Sequence, residues 1–210
     1  CKFGTSDDHP VKVNNIQVDL NIIGNQFVDS SGGIYADTCD ATTYIVDNYF
    51  QDIIDLAPIY TSSIQGTLLS IHNNTIRNAN GPNALVLDTL YSGVSIIALN
   101  IYDSQFSDTA AVREVYSASS GEWTMQDSII QNVTVDDSTT GTPCIIELHS
   151  YKIVYIENCQ FLQNRPKSVN GVLTVINAAL PASPVFNLTN VAFLGYDMYI
   201  QGSTESVFNL

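Results

Sequence analysis

Positive charge is what this 210-residue sequence has least of: seven lysines and arginines stand against 21 aspartates and glutamates, a formal charge of −14. Binding a phosphate backbone needs clustered Lys and Arg, so nucleic acid is excluded as a partner, and an anionic membrane surface is disfavoured on the same ground. No stretch approaches the roughly 18 consecutive apolar residues of a spanning helix, so no membrane insertion is expected. Helical periodicity is missing too, which excludes βαβ layers and leucine-rich horseshoes. Cysteine is sparse. Cys1, Cys39, Cys144 and Cys159 form no Cys-x-x-Cys pair, which argues against a zinc site and against a thioredoxin-type site.

What is present describes a folded chain. Hydrophobic residues make up 45% and aromatics 10%, too much apolar surface for a disordered acidic tail. Charged residues are only 13%, so the water-facing surface must come from Asn, Ser, Thr, Gln, Asp and Tyr. The sequence opens Cys1-Lys2-Phe3-Gly4 without a start methionine and is read as processed or partial, its targeting segment absent. An even cysteine count in such a chain suggests two disulfides. Three connectivities are possible, and proximity favours Cys1–Cys39 and Cys144–Cys159. Three N-x-[ST] sequons, at Asn73, Asn132 and Asn187, point to N-glycosylation in the secretory pathway.

A repeat fixes the architecture. The pattern apolar-x-apolar-x-[Gly/Asp/Asn]-[Asn/Ser]-x-[Phe/Ile] recurs, ending at Phe27, Phe50, Ile76, Phe106, Ile130, Phe161 and Phe193. Five residues upstream lie Ile22, Ile45, Ile71, Ile101, Met125, Ile156 and Leu188. Seven upstream lie Leu20, Thr43, Leu69, Leu99, Trp123, Val154 and Phe186, where Thr43 is the polar exception. A period of two means strands with one buried face. In five of the seven units the turn after the strand holds Asn25, Asn48, Asn74, Ser104 or Ser128, whose stacked side chains are expected to bond in a ladder that the last two units, with Cys159 and Val191, abandon. Further apolar strands follow around Ile34, Leu85, Ile146 and Val172. One such unit cannot bury its own apolar face and must stack on its neighbours.

The expected fold is therefore all-β: a right-handed parallel β-helix, or β-solenoid, of about seven coils. It forms a single domain over 1–210, with a lead-in at 1–12, coils over 13–195 and a C-terminal end at 196–210.

Segments such as Ile22-Ile23-Gly24-Asn25-Gln26-Phe27 and Ile71-His72-Asn73-Asn74-Thr75-Ile76 resemble the parallel β-helix repeat of pectate-lyase-like proteins. The resemblance covers nearly all of 13–195. It implies a fold shared by enzymes, adhesins and structural proteins. Polygalacturonase-like members carry Asn-Thr-Asp, His-Gly and Arg-x-Lys signatures, which this sequence lacks. Asp7-Asp8 and Asp136-Asp137 are neighbouring residues, which point to opposite faces of a strand, so neither makes a paired-carboxylate site by itself. His9, His72 and His149 fall in different repeats and different columns. The chain is thus not expected to be an enzyme.

Stacking makes columns matter more than linear motifs. By the repeat register Asp103 and Asp127 are neighbours on consecutive coils, as are Asp29 and Asp52. Like charges one coil apart repel unless a cation or a hydrogen bond relieves them, so these four are the calcium candidates. No cofactor is otherwise required. Tyr44, Tyr102 and Tyr155 project outward, where tyrosines can stack on sugars. The sequence is read as an extracellular, secreted glycoprotein with a structural role. Self-association into a fibre, filament or surface layer is expected, with loops 138–143, 164–171 and 179–184 supplying lateral contacts. The alternatives are a polysaccharide-active enzyme or carbohydrate-binding module, and a fragment of a longer adhesin.

Overall fold

The computed structural model describes residues 1–91, 93–115, 122–136, 143–148, 153–166, 174–178, 185–194 and 207–209. Most of the three long loops, and His149, lie outside them. Every strand pairing is parallel, and no helix is present among the described residues. The chain winds through three sheets in turn. Sheet I begins with Val11–Ile16, sheet II with Leu20–Ile23 and sheet III with Lys2–Gly4 followed by Gln26–Ser30. Sheet I has seven strands and sheets II and III have eight each, against the seven coils expected. A short sheet IV enters with Asn80–Gly81 and lies between III and I in the later coils. The result is an all-β solenoid.

The core is a set of ladders. On sheet III, Phe3, Phe27, Phe50, Ile76, Ile101, Ile130, Phe161 and Phe193 stand in one register column. Phe27 and Phe50 stack with centroids 4.7 Å apart and planes 5° from parallel. Sheet II contributes two inward columns, which include Ile22, Ile45, Ile71 and Ile96 in one and Leu20, Thr43, Leu69 and Val94 in the other. Thr43 is fully buried between its aliphatic neighbours.

The fourth coil departs from the expected register. Val94 and Ile96 occupy the sheet II columns, and Ile101 takes the sheet III position assigned to Phe106. Phe106 lies instead in sheet IV, paired with Gly81 and Val135. The reading from sequence was thus five residues late in this coil. Two apolar-x-apolar pairs, Val94/Ile96 and Leu99/Ile101, follow one another there, and Asp103-Ser104 imitates the polar turn that Ala98-Leu99 lacks.

Three columns of left-handed corners turn the chain; one, Asn15, Thr38, Ser63 and Thr89, closes sheet I, and the other two flank sheet III. Gly24, Asp47, Asn73, Ala98, Asp127, Asn158 and Asn190 all have positive φ, at the bend from sheet II to sheet III. Asp29, Asp52, Asn78, Asp103, Asn132 and Gln163 do so at the end of sheet III. Asn and Asp tolerate this left-handed conformation better than other side chains, because a short polar group bonds locally. That requirement explains the recurring acid and amide positions. Beside the corner from sheet II to sheet III runs the amide ladder: Asn25 Nδ2 donates to Asn48 Oδ1, and Asn48 Nδ2 to Asn74 Oδ1, each at 3.1 Å. It stops at Leu99, which has no amide. Ser104 serves a different bend, where its Oγ accepts from the Ala79 N–H.

Candidate functional site

The outer face of sheet I carries the chemistry. Alternation buries Ile34 and Ala36 and turns Tyr35 outward, and the same holds one coil later for Ile59, Thr61 and Tyr60. The outward column reads Lys12, Tyr35, Tyr60, Val86, Arg113 and Glu147. Beside it runs a second, with Asp37, Ser62 and Asp88 in register. The corner segments around Ala57, Pro82 and Asp108 rise along one side. These corners, the column from Lys12 to Arg113 and Asp88 of the second column bound an open groove of about 770 Å³.

Aromatic rings form one wall. Tyr35 and Tyr60 stack with centroids 5.2 Å apart and planes 15° from parallel, and His9 leans on Tyr35 at 5.6 Å. The His9 ring sits over Gly32, where a Cβ would meet it at 2.9 Å, and lies 3.2 Å from the Ala57 carbonyl oxygen through Nε2. Burial lowers the His9 pKa.

The charges are mostly paired. Lys12 donates to Asp8, whose carboxyl it holds down at about 2. Arg113 donates from Nη1 to Asp108 and lies 3.3 Å from Glu147 Oε2 through Nε. Asp88 differs. It accepts from the Tyr60 hydroxyl at 3.0 Å and from Thr89 Oγ1 at 2.9 Å, and among the described residues it has no ion-pair partner. Burial, and next the bond to Asp88, push the Tyr60 hydroxyl up to about 12, so it stays a donor.

The residues singled out by sequence lie elsewhere. Tyr44 and Tyr155 are half-buried on the outer face of sheet II, and Tyr102 is half-buried on that of sheet III. Asn73 and Asn132 are exposed at left-handed corners. Asn73 Nδ2 donates to Asp47 at 2.6 Å, and Asn132 Nδ2 donates to Asp103 at 2.9 Å. Asn187 faces outward between buried Phe186 and Leu188.

Two expectations need correction. Asp103 and Asp127 are not neighbours, because the shifted fourth coil puts them in different corner columns. Asp103 lies 3.6 Å from the Arg77 guanidinium, and Asp127 accepts from Asn158 at 3.2 Å. Asp29 and Asp52 do stack on consecutive coils, and Asp52 accepts from the Asn78 and Gln51 amides. Among the described residues no group of three or more His, Cys, Asp or Glu is placed to hold a metal ion.

The second correction concerns sulfur. All four cysteines are free thiols, so neither Cys1–Cys39 nor Cys144–Cys159 is bridged. Cys39 ends a sheet I strand between Ile16 and Ile64, whereas Cys1 lies next to the first strand of sheet III. Cys144 opens a sheet I strand beside Ala110, while Cys159 sits at the bend into sheet III. Cys159 Sγ donates to the Glu157 carbonyl at 3.2 Å, and burial raises its pKa to about 11.

The Tyr35–Tyr60 stack escaped the reading from sequence because neither residue belongs to the repeat used to set the register. Their signal was the Ile34/Tyr35 and Ile59/Tyr60 pairs, 25 residues apart, ahead of a small Val86. Compared with protein-family models, curated proteins and solved structures, the chain matches none of them.

Proposed function

We propose that this chain is a secreted, N-glycosylated solenoid of the pectate-lyase-like repeat class that binds carbohydrate along the outer face of sheet I. The observation that carries the reading is the Tyr35–Tyr60 stack flanked by Asp88 and Arg113 in one groove. Aromatic rings offer apolar faces to the C–H side of a sugar, and fixed carboxylate and guanidinium groups at the margin take its hydroxyls. The repeat class is supported by the Asn25–Asn48–Asn74 ladder. Secretion is supported by the three sequons, two at exposed corners and one on an outer strand face.

The reading is of binding without turnover. A glycosidase needs a carboxylic acid held protonated near neutral pH, and Asp8 is instead held down at about 2 while Asp108 is paired with Arg113. The groove carries this proposal in preference to the fibre role, because it brings named side chains into one place. Calorimetric titration with neutral, acidic and amino oligosaccharides tests it. Saturable binding to one class, weakened at least about tenfold by Tyr60→Ala, is the expected result. Absence of binding to all three overturns it.

A further inference from the structure

The outward column of sheet II sets an aromatic residue beside a sequon. In register it reads Asn21, Tyr44, Ser70, Ser95, Thr124, Tyr155 and Asn187. Tyr155 and Asn187 are direct partners on parallel strands. Each is half-buried between two buried residues, Val154 and Ile156 in one strand, Phe186 and Leu188 in the other. Both side chains therefore leave the same face, one coil or about 4.8 Å apart. Thr189, the hydroxyl residue of the sequon, is exposed at the end of its strand.

Bond counting shows what a sugar on Asn187 meets. The Nδ2 of asparagine and the Cδ atoms of tyrosine are equally far from Cα along the side chain. A sugar joined to that nitrogen starts level with the Tyr155 ring and runs along its outer half. Rings stack with centroids about 4.5–7 Å apart, and the one-coil spacing already stacks Phe27 on Phe50 at 4.7 Å and Tyr35 on Tyr60 at 5.2 Å. Among the described residues Tyr155 has no ring partner. Asn209, in register on the other side of Asn187, is not aromatic, so the ring favours the Tyr155 side.

The other two sequons differ. Asn73 stands in its corner column between Asp47 and Ala98, and Asn132 between Asp103 and Gln163. Their amides donate to Asp47 and Asp103, and a glycan at either corner has no aromatic face next to it in its column.

Resting on the N-glycosylation in the reading above, and independent of the groove, we propose that Asn187 carries a glycan whose first N-acetylglucosamine packs on the ring of Tyr155. The apolar C–H face of the sugar covers the ring, which fixes this glycan to the outer face of sheet II. The glycans of Asn73 and Asn132 lack such a contact.

The test uses the chain secreted from a eukaryotic cell line, with glycopeptide masses to read occupancy, proton NMR of the first sugars and thermal unfolding. Asn187 is expected to be occupied, with first-sugar protons shifted upfield of those at Asn73 and Asn132 by the ring current of Tyr155. Tyr155→Thr should remove that shift. Thr189→Ala deletes the sequon and keeps Asn187; it should lower the melting temperature by about 2–4 °C, the effect of one ring contact in a chain of this size. In a Tyr155→Thr background, and in unglycosylated protein made in bacteria, the same change should move it by no more than about 1 °C. Trimming each glycan to its first sugar should leave the wild-type value in place. First-sugar protons at Asn187 like those of the other sites, or an equal loss from Thr189→Ala in both backgrounds, overturns the contact and leaves glycosylation standing. An empty Asn187 beside an occupied Asn73 or Asn132 does the same. No sugar at any of the three overturns the contact and the glycosylation together.

Discussion

Asn48 and Asn74 are joined twice: the Asn74 Oδ1 accepts from the Asn48 side-chain amide at 3.1 Å and from the Asn48 backbone N–H at 3.0 Å. Asn48 also donates to the Ile22 carbonyl and accepts both N–H groups of Asn25. Both asparagines are buried, so water cannot replace the bonds between them or the one to Ile22.

Removing the Asn48 side chain strands the two Asn25 donors and the Ile22 carbonyl, while Asn74 Oδ1 keeps only the bond from the backbone N–H of residue 48. Asn48→Ala should cost about 3 kcal/mol, since each stranded buried group costs about 1–3 kcal/mol. Asn25 is half-buried and its partners gain access to water, so Asn25→Ala should cost about 1 kcal/mol. Urea unfolding of both variants measures the difference. Equal losses would show that the ladder is not cooperative in the way its geometry implies.

The ladder was legible in the sequence because amides recur at a fixed offset from an aromatic position, and only stacking gives that spacing a purpose. The fourth coil was not legible. Its turn is made by Ala98 and Leu99, which carry no polar signal, while Asp103-Ser104 five residues on does. The periodicity of two holds through both apolar pairs, so pattern alone has no means of choosing the phase. The expected stacking of Asp103 on Asp127 was lost with that phase, whereas the stacking of Asp29 on Asp52 was read correctly because Phe27 and Phe50 are unambiguous. The groove was missed for another reason. It is built from residues of one outer face on successive coils, and a column of Tyr, Tyr, Val and Arg has no repeat of its own.

Ala98 offers a direct check on the corrected register. Its φ of 52° lies in the left-handed region, where every other described member of its corner column is Gly, Asp or Asn. An L-residue with a Cβ is strained there by about 1–2 kcal/mol, and glycine is not. Ala98→Gly should raise stability by about 1 kcal/mol, and Ala98→Asn should also stabilise. In the register first read from sequence Ala98 lies outside the corner, and the same glycine would destabilise a strand. Chemical denaturation of the two variants separates these outcomes by sign.

The thiols give a count that distinguishes bridged from free sulfur. Cys1 is exposed, and Cys39, Cys144 and Cys159 are buried with their sulfurs against backbone carbonyls. Burial raises the Cys39 and Cys159 pKa values and suppresses the reactive thiolate. An aromatic disulfide reagent should titrate one thiol in the folded protein and all four after denaturation without reductant. Two disulfides would give none in either state.

Acid should weaken the fold through its histidines. His72 faces outward on sheet II, with Nε2 at 3.1 Å from Ser70 Oγ and 3.3 Å from Ser95 Oγ. Desolvation lowers its pKa, and desolvation is also the leading cause at His9. A histidine whose folded pKa lies below its unfolded value of about 6.5 takes up more protons when unfolded. Its contribution to stability is complete above that pH and is lost as pH falls through the folded pKa. The melting temperature should therefore hold level above about pH 7 and decline on acidification below about 6.5. His72→Gln keeps a polar group near both serines and carries no titratable proton, so its decline should be shallower, with His9 supplying what is left. Parallel wild-type and variant profiles would mean that His72 stays solvated and that another group governs the acid limb.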